Sequence, residues 1–315
     1  MTDRLGIAVD VGGGHTTCAL VNSSRVLDTT LVDGVSTSLA RTLETVEVGV
    51  RTLLAAAGAV PEECVGVSVA FCGIVDAGSG RVIATPQGKF EDASTLDLAA
   101  WSRDAFGLQL RLENDARQAL LGEHWAGAAR GFQDVVLITL GTGIGGAAMV
   151  GGRLLASRHH QAGVIGGHIP VSIEGRACRC GGSGCAEAEA STWALPSICA
   201  DWGGFTESSL AREERIDYAT LFRHYDAGDA VAAAVLERSC DVWATLAVTL
   251  IHAYDPEVLI LGGAVMRRRE DVLPRIRARV YDRAWTPGRR VLIESTALGD
   301  DAPLYGAIPL LGLAA

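Results

Sequence analysis

Three cysteines, Cys178, Cys180 and Cys185, fall within eight residues of this chain, in "ACRCGGSGCAEAEAS". Gly181, Gly182 and Gly184 allow the backbone between them to fold tightly enough for the three sulfurs to converge. His168 precedes Cys178 by ten residues and could complete a Cys3His tetrahedron, the pattern of a closed structural zinc site. Four protein ligands leave no open position for a reactive water, so the metal expected here is structural. The alternative is a chance cluster in a loop. Cys18, Cys64, Cys72, Cys199 and Cys240 are scattered through apolar surroundings and read as small buried hydrophobes.

Two glycine-rich turns offer a second chemistry. "DVGGGHTT" begins at Asp10 and "GTGIGG" at Gly141, and β-type residues flank both. The second superficially satisfies a dinucleotide fingerprint, but that fingerprint must open a helix, whereas "AAMVGGRLL" continues as a strand. Neither turn ends in the Lys-Ser/Thr of a P-loop. A glycine-rich hairpin can instead gather successive backbone N–H groups into a nest for an anion. Two such hairpins would hold a nucleotide's phosphates from both sides. Ordinary tight hairpins are the alternative.

These residues must be positioned by a sizeable fold. A chain of 315 residues, 49% apolar and 20% charged, suits one large or two ordinary α/β domains and gives no sign of disorder. The net charge of −10 argues against nucleic acid as a standing partner, because phosphate neutralisation needs a basic face. There is no signal-peptide pattern and no apolar run long enough to span a membrane, so a cytoplasmic protein without a membrane partner is expected. In that compartment clustered cysteines favour metal over disulfides. The N-terminal block reads as three strands, a helix from about Ser36 to Ala57, the strand "VGVSVAFCG", a helix over 95–106, the strand "LQLRLEND" and the helix "ARQALLGEHWAG". A second block opens with the strand–turn–strand "DVVLITLGTGIGGAAMVGGRLLA". Long helices follow near 186–200 and 229–254, then the strand "EVLILGGAV", a helix near 270–284, the strand "RVLIES" and a closing helix. Two blocks that each open on a glycine-turned hairpin suggest one ancestral plan used twice.

Taken in order, "DVGGGHTT", "ENDAR", "GTGIGGA", "GGH" followed by the three cysteines, "GCAEAEAS" and "DPEVLILGGAV" resemble the successive signatures of the ROK family of repressors and bacterial sugar kinases. The resemblance implies a two-domain actin-like ATPase (ribonuclease H-like) α/β fold with a nucleotide/substrate cleft between domains. The expected division is 1–116, joined by the closing segment 300–315, and 117–299, which carries the zinc segment 166–191. It also implies ATP and Mg²⁺ as cofactors beside Zn²⁺, a homodimer, and a small hexose-like substrate. Family repressors carry an N-terminal DNA-binding region; with the first phosphate motif at residue 10, none is expected here.

The same resemblance assigns roles. Asp115 matches the general base that takes the acceptor hydroxyl's proton, with an N-cap for the following helix as its alternative. Asn114 matches a sugar-hydroxyl ligand. Asp10, Gly12, Gly13, Gly14, His15 and Thr16 match the Mg²⁺ and phosphate turn, and Gly141, Thr142, Gly143, Gly262 and Gly263 match ATP-binding positions. Gly73, Gln87, Lys89, Ile165, His168 and Glu187 match substrate-facing positions.

Several of these depart from the family pattern. Family kinases usually read Glu-x-Gly-His before the zinc segment, where this chain has Ile165 in "IGGH". Cys72-Gly73 stands for Pro-Gly, Pro86-Gln87 for Pro-Asn, and Gly14-His15 for Thr-Lys or Thr-Asn. Lys89, the only lysine among 27 basic residues, falls in the matched substrate loop as either a substrate-facing ammonium or a solvated surface group. Retained catalytic positions with altered substrate positions imply an ATP-dependent sugar or cyclitol kinase of changed specificity. The alternatives are a catalytically idle sugar-binding sensor and another actin-fold ATPase whose zinc segment serves protein contacts.

Overall fold

A computed structural model describes residues 4–12, 15–34 and 37–314. The chain forms two compact units. Gly13 and Gly14, and Ser36 at the expected start of the first helix, lie outside the described residues.

The first unit comprises Met1–Phe132, Arg153–Val164 and Ala297–Ala315. Its sheet contains β1 (Leu5–Val11), β2 (Thr16–Val21), β3 (Val26–Val32), β4 (Cys64–Phe71) and β7 (Leu110–Asn114), in the order β3-β2-β1-β4-β7. A small separate hairpin, β5 (Ile74–Asp76) with β6 (Arg81–Ala84), escaped the sequence reading. β1 and β2 form the antiparallel hairpin around the first glycine turn, while β4 and β7 run parallel to β1. Buried β-branched and apolar residues such as Ile7, Val9, Val67 and Val69 fill both the strands and the core beneath them. α1 (Leu39–Ala57) starts with Ser38 as N-cap and with the Leu39 and Ala40 amides donating to Asp92. It ends at Gly58 in the left-handed region. α2 spans Leu98–Phe106, shorter than expected because Asp97, not residue 95, provides its cap. α3 (Asp115–Ala126) and α9 (Ala302–Leu310) pack together within this unit.

The second unit comprises Gln133–Gly152 and Ile165–Thr296. β8 (Val135–Leu140) and β9 (Ile144–Val150) form its antiparallel hairpin, with Leu140 opposite Ile144 across the second glycine turn. Strand Val258–Gly262 lies parallel to β8 and strand Leu292–Ser295 parallel to that. The helices are α4 (Ala186–Ala190), α5 (Leu195–Ala200), α6 (Tyr218–Asp226), α7 (Ala230–Tyr254) and α8 (Arg269–Arg283). α6 was not anticipated. The single helix expected over 186–200 is instead two short ones. Between them Ser191 is extended, and the Thr192 and Trp193 amides donate to Gly141 O and Thr142 O rather than continuing the helical ladder. Among the described residues no helix is long and apolar enough to cross a membrane.

Candidate active site and metal-binding segment

In the first unit the carboxyl ends of β1, β4 and β7 bring Asp10, Cys72, Asn114 and Asp115 to one end of the sheet, the end where open α/β sheets bind ligands. Asn114, in extended backbone, caps α3 by accepting from Arg117 N at 3.2 Å. The cap is therefore Asn114, and Asp115 is the first helical residue. Asn114 Nδ2 donates to Gly73 O and to Asp115 Oδ1, both at 3.0 Å, and Ala116 N donates to the same Oδ1 at 2.8 Å. Both of these bonds fall on Oδ1, so Oδ2 is the oxygen left to take a proton. Burial pushes the Asp115 carboxyl up to about 6, against the pull of these donors. Asn114, by contrast, has committed both amide hydrogens and can meet a substrate hydroxyl only as an acceptor.

Asp10 is in a harsher position. Its Oδ1 is buried without a hydrogen-bond partner among the described residues. Burial, then Asp115, then Asp300 push this carboxyl up to about 8. A buried carboxylate with one oxygen lacking a donor and with like charges nearby is a place that a cation would relieve, and this fits Mg²⁺ or a magnesium-bound water. Asp300 was missed in the sequence because nothing local marks it. It lies in the Gly299–Asp301 turn ahead of α9, after a segment pinned by buried Glu123, which accepts from Ala297 N and Leu298 N. Gly12 N donates to His15 O, closing the turn below exposed His15, and Thr16 is buried.

The substrate loop enters the same unit. Phe90 is buried against Phe71 with φ 46, a left-handed conformation that an aromatic residue adopts only when packing enforces it. Beside it Lys89 is half-buried and forms no ion pair among the described residues. Lys89 acts on Cys72, whose thiol is pushed well up by burial and then by Asp115, with Lys89 opposing them. Gln87 is exposed and makes no hydrogen bond among the described residues.

In the second unit, Gly141 N donates to Gly143 O inside the turn. Gly262 ends its strand opposite Thr139, and Gly263, at φ 84, turns so tightly that a Cβ there would lie 2.5 Å from Leu140 O. Only glycine fits, and it places the 262–263 turn directly against the end of β8. Each Glu187 oxygen already accepts one bond, which leaves further lone pairs for a hydroxyl. Its Oε2 accepts from Ile144 N and its Oε1 from Trp193 Nε1, both at 2.9 Å.

The metal-binding pattern is brought together in this unit. The ligand atoms of His168, Cys178, Cys180 and Cys185 all lie within 4.8 Å of one another. Cys178 Sγ is 3.6 Å from His168 Nδ1 and Cys180 Sγ is 3.7 Å from Cys185 Sγ. A tetrahedron with bonds of about 2.3 Å to sulfur and 2.0 Å to nitrogen has edges of roughly 3.5–3.8 Å, so the donor set fits zinc. The turn "GGH" carrying His168 packs on β9 so closely that a Cβ on Gly167 would lie 1.9 Å from Ile144 O. Ile165, at its start, is 41% exposed.

The fold and these carboxylates define a mixed α/β protein built like the actin-like sugar kinases. Residues 6–312 match the ROK family, and the chain belongs to it. It is 33% identical over 286 residues to a glucokinase of Thermotoga maritima, covering 88% of this chain and 87% of that one. It is 27% identical over 280 residues to a putative xylose repressor of a Caldicellulosiruptor species, covering 85% of this chain and 68% of that one. The crystal structure of a ROK family glucokinase from Streptomyces griseus with glucose and AMPPNP superposes with a TM-score of 0.80 at 29% identity, covering 97% of this chain and 98% of that one.

Proposed function

We propose that this protein transfers the γ-phosphoryl group of ATP to the exocyclic hydroxymethyl of a hexose-like molecule. The observation that carries this reading is the Asp115 carboxylate, fixed through Oδ1 and raised by burial to about 6. At neutral pH it is ionised, yet basic enough to accept a proton on Oδ2 as the hydroxyl oxygen attacks. The new bond joins that oxygen to the γ-phosphorus, the bond to the bridging oxygen breaks, and ADP carries away the electron pair. Phosphoryl transfer asks for position and charge neutralisation more than covalent chemistry. Asp10 would hold Mg²⁺ or its water, and a magnesium ion there supplies the charge that offsets the phosphates. Gly141–Gly143 and Gly262–Gly263 offer a nucleotide seat in the second unit. His168, Cys178, Cys180 and Cys185 would hold zinc as a structural ion.

The acceptor differs from glucose near the anomeric position. Ile165 presents a branched apolar side chain where family kinases place a hydroxyl-gripping glutamate. Amino sugars, deoxy sugars and C7-cyclitols, the last without an anomeric hydroxyl, suit it better, and Lys89 supplies an ammonium to an acceptor oxygen. A coupled ADP-release screen over hexoses, amino sugars and cyclitols tests this. An amino sugar or cyclitol should exceed glucose in kcat/KM; a preference for glucose over all of them removes the specificity reading. Similarity to a putative xylose repressor supports a second reading, a sugar-binding sensor. In that case acceptors bind without releasing ADP.

A further inference from the structure

We infer that Trp193 is a positioning residue that couples the metal-binding segment to the Gly141–Gly143 turn, so that metal and nucleotide each strengthen the other's hold. The inference rests on the reading of that turn as the nucleotide seat.

Trp193 meets both regions. Its ring packs against the buried cluster of Cys178, Cys185 and Ala188. The Arg179 guanidinium, on the residue between two of the cysteines, lies over the indole at 4.3 Å from the ring centroid. On the other side the indole N–H donates to Glu187, whose second oxygen accepts from Ile144 N at the end of the turn. Trp193 N donates to Thr142 O and Thr192 N to Gly141 O, both at 3.1 Å.

Those two backbone bonds aim the turn. A trans peptide points its C=O and N–H in opposite directions. Holding Gly141 O toward Thr192 therefore directs Thr142 N–H the other way, and holding Thr142 O toward Trp193 does the same for Gly143 N–H. Neither of these amides makes a hydrogen bond among the described residues. They form a pair of adjacent donors, the arrangement that receives a phosphate oxygen. The residue whose backbone helps fix them rests its indole on the metal ligands and, through Glu187, on the Ile144 amide, so loosening of the cysteine loop withdraws one support of the pair. It also explains why the chain leaves helical geometry at 191–193.

Coupling between two binding sites is reciprocal. In the zinc-loaded full-length protein, a saturating non-hydrolysable ATP analogue should slow zinc release to a chromophoric chelator by roughly 5-fold. Trp193→Phe keeps the ring beneath Arg179 and removes only the indole donor; Arg179→Gln removes the stacked cation from an exposed position. Each should raise the KM for ATP by roughly 3- to 10-fold, leave kcat and acceptor KM near wild type, and reduce the effect of nucleotide on zinc release. Nucleotide that binds wild type yet leaves zinc release unchanged overturns the inference, as do variants that couple like wild type. Failure of any nucleotide to bind would instead remove the kinase reading, and the coupling with it.

Discussion

Two sets of carboxylates in this molecule, one around Glu189 and one around Asp10, are treated in opposite ways. In the second unit Glu189 accepts from Arg176 N at 2.6 Å and pairs with Arg238, and Glu187 accepts from an amide and an indole. Each is satisfied by its own fold, and each holds a loop: Glu189 the chain leading to Cys178, Glu187 the glycine turn. In the first unit Asp10 keeps a buried oxygen without a donor among the described residues, and Asp115 and Asp300 add negative charge nearby. Burying an ionised group without partners is unfavourable, so that arrangement lowers stability unless a ligand completes it. A carboxylate satisfied by its own fold steadies a loop; carboxylates gathered against their electrostatic interest mark the place where a cation and a reacting hydroxyl belong.

The sharpest way to break this contrast is Asp115→Asn, which keeps shape and removes basicity. We expect kcat to fall about 10²- to 10⁴-fold with little change in acceptor KM. The wild type carries its own signature: kcat/KM should decline as pH drops through about 6, where Asp115 takes up its proton. Near-normal turnover of the variant would leave Asp115 only its part in the α3 terminus.

A smaller effect is expected from Ile165→Glu, which returns a hydroxyl acceptor to an apolar position. A hydroxyl without its partner costs roughly 1–3 kcal/mol, so preference should move toward glucose by about 5- to 150-fold. An unchanged ratio of kcat/KM values would place specificity elsewhere, with Lys89 the next position to alter.

The smallest effect is on stability, and its sign separates the two regions. Asp10 titrates near 8 when folded and near 3.8 as an ordinary aspartate. Between those values the folded state holds a proton that the unfolded state has released, so stability falls as pH rises through that range. Asp10→Asn removes the decline. Without Mg²⁺ it should melt higher than wild type at pH 8, by roughly 2–4 °C for each kcal/mol recovered, and the difference should vanish near pH 4. Glu189→Gln, in the satisfied set, should instead lower the melting temperature at pH 8. Opposite signs are the expected result, and a destabilised Asp10→Asn protein would show that Asp10 is scaffold after all.

How much of the site could be read from the chain depended on sequence distance. Asp10 at a strand end, Asn114-Asp115 at a strand-to-helix junction and the cysteines around "CGGSGC" are local patterns, and local backbone geometry brings their parts together. Glu187 matches a substrate-facing position by resemblance, and the structure adds that its oxygens also hold Ile144 N and Trp193 Nε1. Its motif carries no trace of that. The hairpin β5–β6 was overlooked because its strands are short and half-exposed, leaving little alternation to detect.

The sequence by itself determined the two glycine-turned hairpins, the parallel strands that follow them and the metal-ligand set. Glycine freedom, β-branched burial and close ligand spacing act over a few residues and need no distant partner. Tertiary structure decided the rest. It carried Asp300 from the far end of the chain toward Asp10, whose carboxyl is pushed up by burial and by the charges of Asp115 and Asp300. It ended α4 at Ala190, because the amides of Thr192 and Trp193 found carbonyls in a turn from much earlier in the chain. Helix propensity is worth only tenths of a kcal/mol per residue, whereas a buried amide left without a partner costs about 1–3 kcal/mol, so the distant carbonyls prevailed over the local preference.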